Sequence, residues 1–309
     1  MKLLLSICYL LLIIITSSCG TKKQSQENIN TKTEQAIRLL TRELDDAESK
    51  PALSECVARY TELAILMPEY QVTLTGRNEI ENYYREIFKK QHIKTINRNP
   101  HEFIHLRNSI IVIGTFKREY GTHNNDSLIT LNGKYWQVWT QGTDTYRIKG
   151  EAFGYFHPVD HPESLIISEN QRQPDESEIQ IEVPFELKAY NALMEKGVRQ
   201  RNAPLRIAFF TEDGIFYPFA DSAVVGLAQL KPYLTAYSSG GTVTIESVSC
   251  YTLSFEDLGD HILEYAMFKV EWSHANGSGK TEGKGIRIWR RQSNGSLKLF
   301  REIGTHNYL

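Results

Sequence analysis

Three stretches of the sequence carry residue types and spacings that could do chemistry. "HEFIH", His101 to His105, matches H-E-x-x-H, in which two histidines hold zinc and the glutamate serves as base. That chemistry needs a helix, where residues i and i+4 share one face about 6 Å apart. At an offset of 150 residues the segment falls on "YTLSF", Tyr251 to Phe255, which reads as a strand. On a strand the two histidines would stand about 13 Å apart, too far to share an ion. Pro100 could open a short helix, but Asn108, Ser109 and a β-branched run follow at once, so a strand with surface histidines is expected and no metal site. His157, Asp160 and His161 form a second cluster, which Pro158 and Pro162 place in a loop, and the case for a metal there is no better. "GSGKTEGKG", Gly277 to Gly285, contains the letters of a phosphate loop. It lacks the required spacing and sits between two strands rather than between strand and helix, so a turn is expected. With no nucleophile elbow and no Cys-x-x-Cys pair, no cofactor is expected.

The ends and the composition bound the setting. Lys2 is followed by an apolar run from Leu3 to Ile15 and then by "TSSCG", the layout of an export signal. The run is shorter than the roughly 18 residues that span a bilayer. Ser17 and Ser18 before Cys19 resemble the lipobox of bacterial lipoproteins, although Thr16 stands where Leu is usual; the resemblance implies lipidation of Cys19 and a lipid anchor to a membrane. Ordinary secretory cleavage near Ser18 is the alternative. The polar stretch after Cys19 suits a flexible tether. Only Cys56 and Cys250 remain beyond it, so no disulfide framework is indicated. The 35 basic and 37 acidic residues nearly balance, leaving no basic footprint for nucleic acid.

An internal repeat organises the rest. The same offset of 150 maps Glu62 on Glu212, Pro68 on Pro218, Gly76 on Gly226, Tyr83 on Tyr233, Gly133 on Gly283, Lys134 on Lys284 and Trp139 on Trp289. Past the tryptophan the register moves by one, so Ile148 falls on Leu299 and Glu151 on Glu302. One extra residue in the second hairpin turn accounts for the shift. The expected division is a signal over 1–18, a tether over 19–32, one domain over 33–156, a linker rich in Pro and charge over 157–184, and a second domain over 185–309.

Each copy begins with an amphipathic helix, as in Ala36, Ile37, Leu40 and Leu44 of "TEQAIRLLTRELDDAES". A short apolar element ending at proline follows, then a second helix ("RNEIENYYREIFKK" or "LAQLKPYLTAY"), then alternating strands such as "SIIVIGTFKREY", "KYWQVWTQ", "HILEYAMFKVEW" and "SLKLFREIG". Helices first and an antiparallel sheet after is an α+β layout. Gly76, Ile80 and Tyr83 at a helix start, with the closing "GK...IW", turn and "LKLFREI" hairpin, resemble the NTF2-like superfamily, in particular its SnoaL-like and DUF4440 branch. The resemblance implies two cone-shaped domains, each a curved antiparallel sheet wrapped around N-terminal helices with a pocket at its open end. It also implies pairing through the sheets, which a tandem duplication could satisfy within one chain as an intramolecular pseudo-dimer.

The fold hosts many activities. An enzyme on it would use a pocket carboxylate or histidine as base with a tyrosine or second acid as oxyanion donor. That implication singles out Glu302, whose place in the first copy is taken by Glu151, as the catalytic candidate. Tyr190, Tyr217, Tyr233, Glu264, Trp289 and His306 are pocket candidates, with Glu271 on the same strand as Glu264. Arg287, Arg291 and Arg301 offer Glu302 an ion pair instead. Trp139 and Trp289 are expected in the core or a sheet contact. The leading expectation is a lipoprotein of the bacterial cell envelope, on the outer membrane or periplasmic face. It would bind a small apolar ligand or a partner protein without catalysis; the alternative is a SnoaL-like or ketosteroid-isomerase-like enzyme.

Overall fold

The computed structural model describes residues 27–122, 125–167, 172–241 and 243–308. The export signal, Cys19 and most of the tether lie outside these residues. The chain divides into two compact units, Met1–Glu43 and Leu44–Leu309. In the first, residues 27–43 are helical, with Ile37 and Leu40 buried. The second opens with helical residues 44–49 (α1) and holds the rest of the first copy of the repeat and all of the second.

The first repeat continues with α2 (Leu53–Ala58), β1 (Tyr60–Pro68), β2 (Leu74–Thr75), α3 (Arg77–Lys90), β3 (Gln91–Leu106), β4 (Ser109–Thr122), β5 (Asn125–Gln141) and β6 (Tyr146–Tyr155). The second runs through α4 (Phe185–Arg199), α5 (Ala203–Ala208), β7 (Phe210–Tyr217), β8 (Val224–Val225), α6 (Gly226–Ser239), β9 (Thr244–Asp257), β10 (His261–His274), β11 (Gly277–Arg291) and β12 (Leu297–His306). Their six-stranded sheets have the same order, β2-β1-β6-β5-β4-β3 and β8-β7-β12-β11-β10-β9. The α+β layout is as expected, with one refinement: each sheet is mixed, because its first strand joins its last in parallel. Gly76 and Gly226 hold φ of 83° and 67° at the entry to α3 and α6, a left-handed conformation that glycine adopts without penalty.

The repeat register is visible in the pairing. Leu66 faces Glu151 in the first sheet, and Phe216, 150 residues on, faces Glu302 in the second. The hairpin between β5 and β6 spans 142–145 and that between β11 and β12 spans 292–296, which locates the extra residue. HEFIH is strand, inside β3. Its partner in the second sheet is shifted, however. Trp139 faces Ile110 and Trp289 faces Ile262, so β4 and β10 correspond at an offset of 152. Bulges beside Pro100 and beside Thr252 then match, and HEFIH corresponds to Leu253–Asp257 rather than to YTLSF.

The two sheets share one apolar core, in which Ile113, Trp136, Val138 and Met67 meet Tyr217, Leu263, Tyr265 and Ile286. Gly150 on β6 lets the Tyr265 ring of β10 lie directly against its backbone. The lysines that lead β5 and β11 close this contact reciprocally. Lys134 Nζ donates to Tyr155 O at 2.7 Å and, across to the other repeat, to Asp221 O at 2.9 Å. Lys284 Nζ donates to Gln71 O, the residue equivalent to Asp221, and to Asn307 Oδ1 at 2.6 Å. Such reciprocity is the mark of an isologous contact. Both lysines are about 1% exposed; burial pulls Lys134 down to about 8 and Lys284 down to about 7, with the Glu69 carboxylate opposing. The segment between the repeats is packed: Gln71 Nε2 donates to Leu165 O at 2.6 Å, and Tyr251 Oη donates to Pro174 O at 2.7 Å.

Candidate functional site

Equivalent positions inside the two repeats carry different chemistry. In the first, Glu151 on β6 is fully buried and accepts hydrogen bonds from the Tyr60 hydroxyl and from Gln137 Nε2 at 3.1 Å. Trp139 Nε1 donates to Gln137 Oε1 at 3.1 Å. Arg98, on β3, is tied to Asp45 and to Glu48, the latter at 2.6 Å, and all three side chains are buried. Burial raises the Glu151 carboxyl above its ordinary range, and the Arg98 guanidinium opposes the shift. These groups fill the interior; a void of about 20 Å³ remains among Tyr83, Tyr84 and Arg118.

In the second repeat the position of Gln137 is taken by Arg287 and that of Val112 by Glu264. Arg287 Nε donates to Glu302 Oε1 at 2.8 Å and Nη1 lies 3.6 Å from Glu264 Oε2. Glu264 also accepts from Thr252 Oγ1 at 2.6 Å and from Trp289 Nε1 at 2.7 Å. The interior here is open, a cavity of about 190 Å³ walled by Phe216, Phe219, Tyr233, Phe268 and Val270, with Arg287, Glu302 and His306 on its lining. The difference has a local cause. Cys250 stands where the first repeat has Arg98, as the facing Phe116 and Phe268 show, and at the offset of 150 Val198 stands where it has Glu48. A short thiol and a valine leave unoccupied the volume that the arginine and its carboxylate take up.

Of the expected site residues, Glu302, Tyr233 and His306 share this cavity. Glu302 reaches it already bound to Arg287. His306 stacks on Phe219 with ring centroids 4.2 Å apart; burial first, and the Lys284 charge second, lower it to about 4, which leaves the imidazole neutral at pH 7. Tyr190, Tyr217, Glu264, Trp289 and Glu271 lie outside the lining. The Tyr190 hydroxyl donates to Leu297 O at 2.5 Å and its ring leans on Trp289 at 4.8 Å. Tyr217 sits in the core shared by the sheets, edge-on to Trp136 at 5.5 Å. Glu264 and Trp289 are buried in the packing behind the wall, bonded to each other. Glu271, further along β10, accepts from the Ser247 hydroxyl at the surface. Arg206, Phe219 and Tyr237 are lining residues that the pattern of the sequence did not single out, whereas Arg287 is the ion-pair partner it offered to Glu302; comparing the copies position by position would have exposed Arg206, which falls on Cys56 at the offset of 150.

The glutamate of HEFIH has a structural partner. Arg301 Nη2 of the second sheet donates to Glu102 Oε1 at 2.6 Å. Among the described residues no group of three His, Cys, Asp or Glu side chains is placed to hold a metal ion. No described helix is long and apolar enough to cross a membrane.

No family model matches the sequence, and no curated protein matches it. Solved structures similar to it include a ketosteroid isomerase-like protein from Erwinia carotovora, 11% identical, covering 40% of this chain and 96% of its own, with a TM-score of 0.37. An NTF2-like protein from Cytophaga hutchinsonii is 9% identical and covers 40% of this chain and 98% of its own, with a TM-score of 0.35. ActVI-ORFA from Streptomyces coelicolor is 18% identical and covers 40% of this chain and 96% of its own, with a TM-score of 0.34.

Proposed function

We propose that the chain is an exported lipoprotein, anchored through Cys19 in the bacterial cell envelope, in which two NTF2-like domains form a pseudo-dimer and the second binds a small apolar or amphipathic molecule without converting it. The observation that carries the reading is the contrast between the interiors, about 20 Å³ in the first repeat and about 190 Å³ in the second. Ligand sites are concave, mostly apolar and supplied with a few placed polar groups, and the second interior has that character. The shared sheet core and the reciprocal lysines support the pseudo-dimer. Export and lipidation rest on the N-terminal residues alone, and replacing Cys19 with Ser should release the protein from the membrane fraction.

The binding reading is tested by native mass spectrometry of the gently purified full chain beside a Val198→Trp variant, which fills the cavity. A small molecule retained by the first and lost from the second is the expected result. Empty protein in both cases, with identical thermal responses to apolar compounds, would count against it.

The enzymatic alternative draws on Glu302 and His306 lining one cavity. A general base must have an oxygen free to take a proton. Arg287 Nε donates to Glu302 Oε1 at 2.8 Å, which leaves Oε2 as the oxygen that could take a proton; a ligand chemically altered by the native chain but not by Glu302→Gln would favour catalysis.

A further inference from the structure

We propose that the ligand of the second cavity is a carboxylate with an apolar, aromatic-sized body, held through its carboxylate by Arg206 at the cavity mouth; this rests on the reading that the second repeat binds a small molecule. The two copies have exchanged an arginine and a cysteine. On the sheet the first has Arg98 and the second Cys250, facing Phe116 and Phe268 respectively. On the short helix the first has Cys56 and the second Arg206, each the fourth residue of α2 or α5.

The exchange changes what neutralises the guanidinium. Arg98 has its own carboxylates, Asp45 and Glu48. At the equivalent positions stand Glu195, which accepts from the Cys250 amide at 2.8 Å, and Val198. Among the described residues Arg206 makes no ion pair, and its Nε is buried without a hydrogen-bond partner. The guanidinium is nonetheless held in place. It lies over the Tyr237 ring at 5.0 Å, and its stem occupies the space left by Gly197 of α4, where a Cβ would stand 3.1 Å from Arg206 Cγ.

Position and surroundings then define the ligand. Arg206 and Tyr237 line both the inner cavity of about 190 Å³ and an adjoining hollow of about 350 Å³, so they stand where the one opens to the other. The remaining charged groups on the inner wall, Arg287 and Glu302, are closed on each other. Arg201 of the outer hollow is tied to the Gly240 and Val243 carbonyls, each at 2.6 Å, so what faces a ligand among the described residues is the Arg206 guanidinium at the entrance and phenylalanine rings within. A carboxylate supplies the two acceptor oxygens a guanidinium fork matches. An engineered apolar cavity of roughly 150 Å³ takes up benzene, so the inner space suits one ring on a short chain. A cationic ligand would meet repulsion at the entrance, and a neutral one would leave the guanidinium uncompensated.

The test is calorimetric titration of the full chain with phenylacetate, 3-phenylpropionate and 4-phenylbutyrate, each beside its neutral amide. Charge-assisted hydrogen bonds are worth on the order of tenfold or more in affinity, so the best acid should bind at least about tenfold tighter than its amide. Arg206→Gln should bring acid and amide to similar affinity, and Arg206→Lys should restore part of the preference. Arg206 makes no ion pair among the described residues, so the variants lose only its packing on Tyr237 and Gly197, and melting curves taken alongside should show both still folding cooperatively. Equal binding of acid and amide, or a preference that survives Arg206→Gln, would overturn the assignment of the carboxylate. In those cases Val198→Trp decides the underlying reading: probes lost from that variant leave the cavity a binding site, whereas probes that bind it equally, or bind neither protein, dismiss the site and the carboxylate together.

Discussion

Removing the buried amine at the joint between the repeats gives a prediction whose sign and size both follow from the structure. Lys284 is fully enclosed, and burial lowers its pKa from 10.5 to about 7. The folded protein therefore releases this proton near pH 7, whereas the unfolded chain holds it until about pH 10.5. Between these values the unfolded state binds more protons, so stability rises with pH. Each unit of differential binding is worth about 1.4 kcal/mol; with the folded group half titrated at pH 7, the gain between pH 7 and 9 is about 2 kcal/mol. Lys284→Met keeps the bulk and removes the titration. Lys134 and Glu69 titrate nearby in both proteins, and because the Lys284 charge opposes the rise of the Glu69 carboxyl, the difference between the two reports position 284 together with its coupling to Glu69. Denaturant unfolding of the native chain and of Lys284→Met at pH 7, 8 and 9 should show the native chain gaining about 2 kcal/mol on the variant across the range. A constant difference would refute the claim that burial depresses this amine, and a difference of opposite sign would mean that the ammonium is stabilised where it lies.

Arg98→Met should destabilise the first repeat by about 3–5 kcal/mol, because Asp45 and Glu48 would stay buried without their cation; the denaturation midpoint measures it, and a change below about 1 kcal/mol would remove the network from the account of stability. Gly150→Ala would drive a methyl group into the Tyr265 hydroxyl across the shared core, at a cost of about 1–3 kcal/mol. Tyr265→Phe in the same chain should recover part of that loss, and strict additivity of the two changes would argue that the residues do not touch.

Much of this architecture was legible in the sequence because its determinants are local. Gly76 and Gly226 mark left-handed turns, Trp139 and Trp289 mark matching bulges, and the hairpin loops differ by the one residue the alignment requires. Strand β3 was only partly visible: "QHIKTINRNP" is polar and carries Pro100, which a strand tolerates where pairing is interrupted, and the register does slip there. The interior was harder to read. Glu302 and His306 could be placed on the cavity by topology, since alternation along β12 sends them to one face. Tyr190, Tyr217, Glu264 and Trp289 are aromatic or acidic residues on the right elements, yet tertiary packing turns them to a carbonyl, a second sheet or one another. Arg206 escaped notice because its meaning is relational: it stands out once its guanidinium, without a carboxylate among the described residues, is set beside Arg98, and Arg98 corresponds to Cys250 at an offset of 152, not 150.

The unequal interiors also bear on how such a site persists. A hollow of about 190 Å³ that adjoins a second one lacks the side-chain contacts of a filled core, a deficit in packing. The second repeat does not meet that deficit alone. Its sheet is fused through Trp136, Met67 and Ile113 to a sibling whose own interior is packed shut, so opening one hollow requires disrupting a core common to both. Duplication has separated two demands that compete within one fold: one copy acts as ballast, and the other is free to stay hollow.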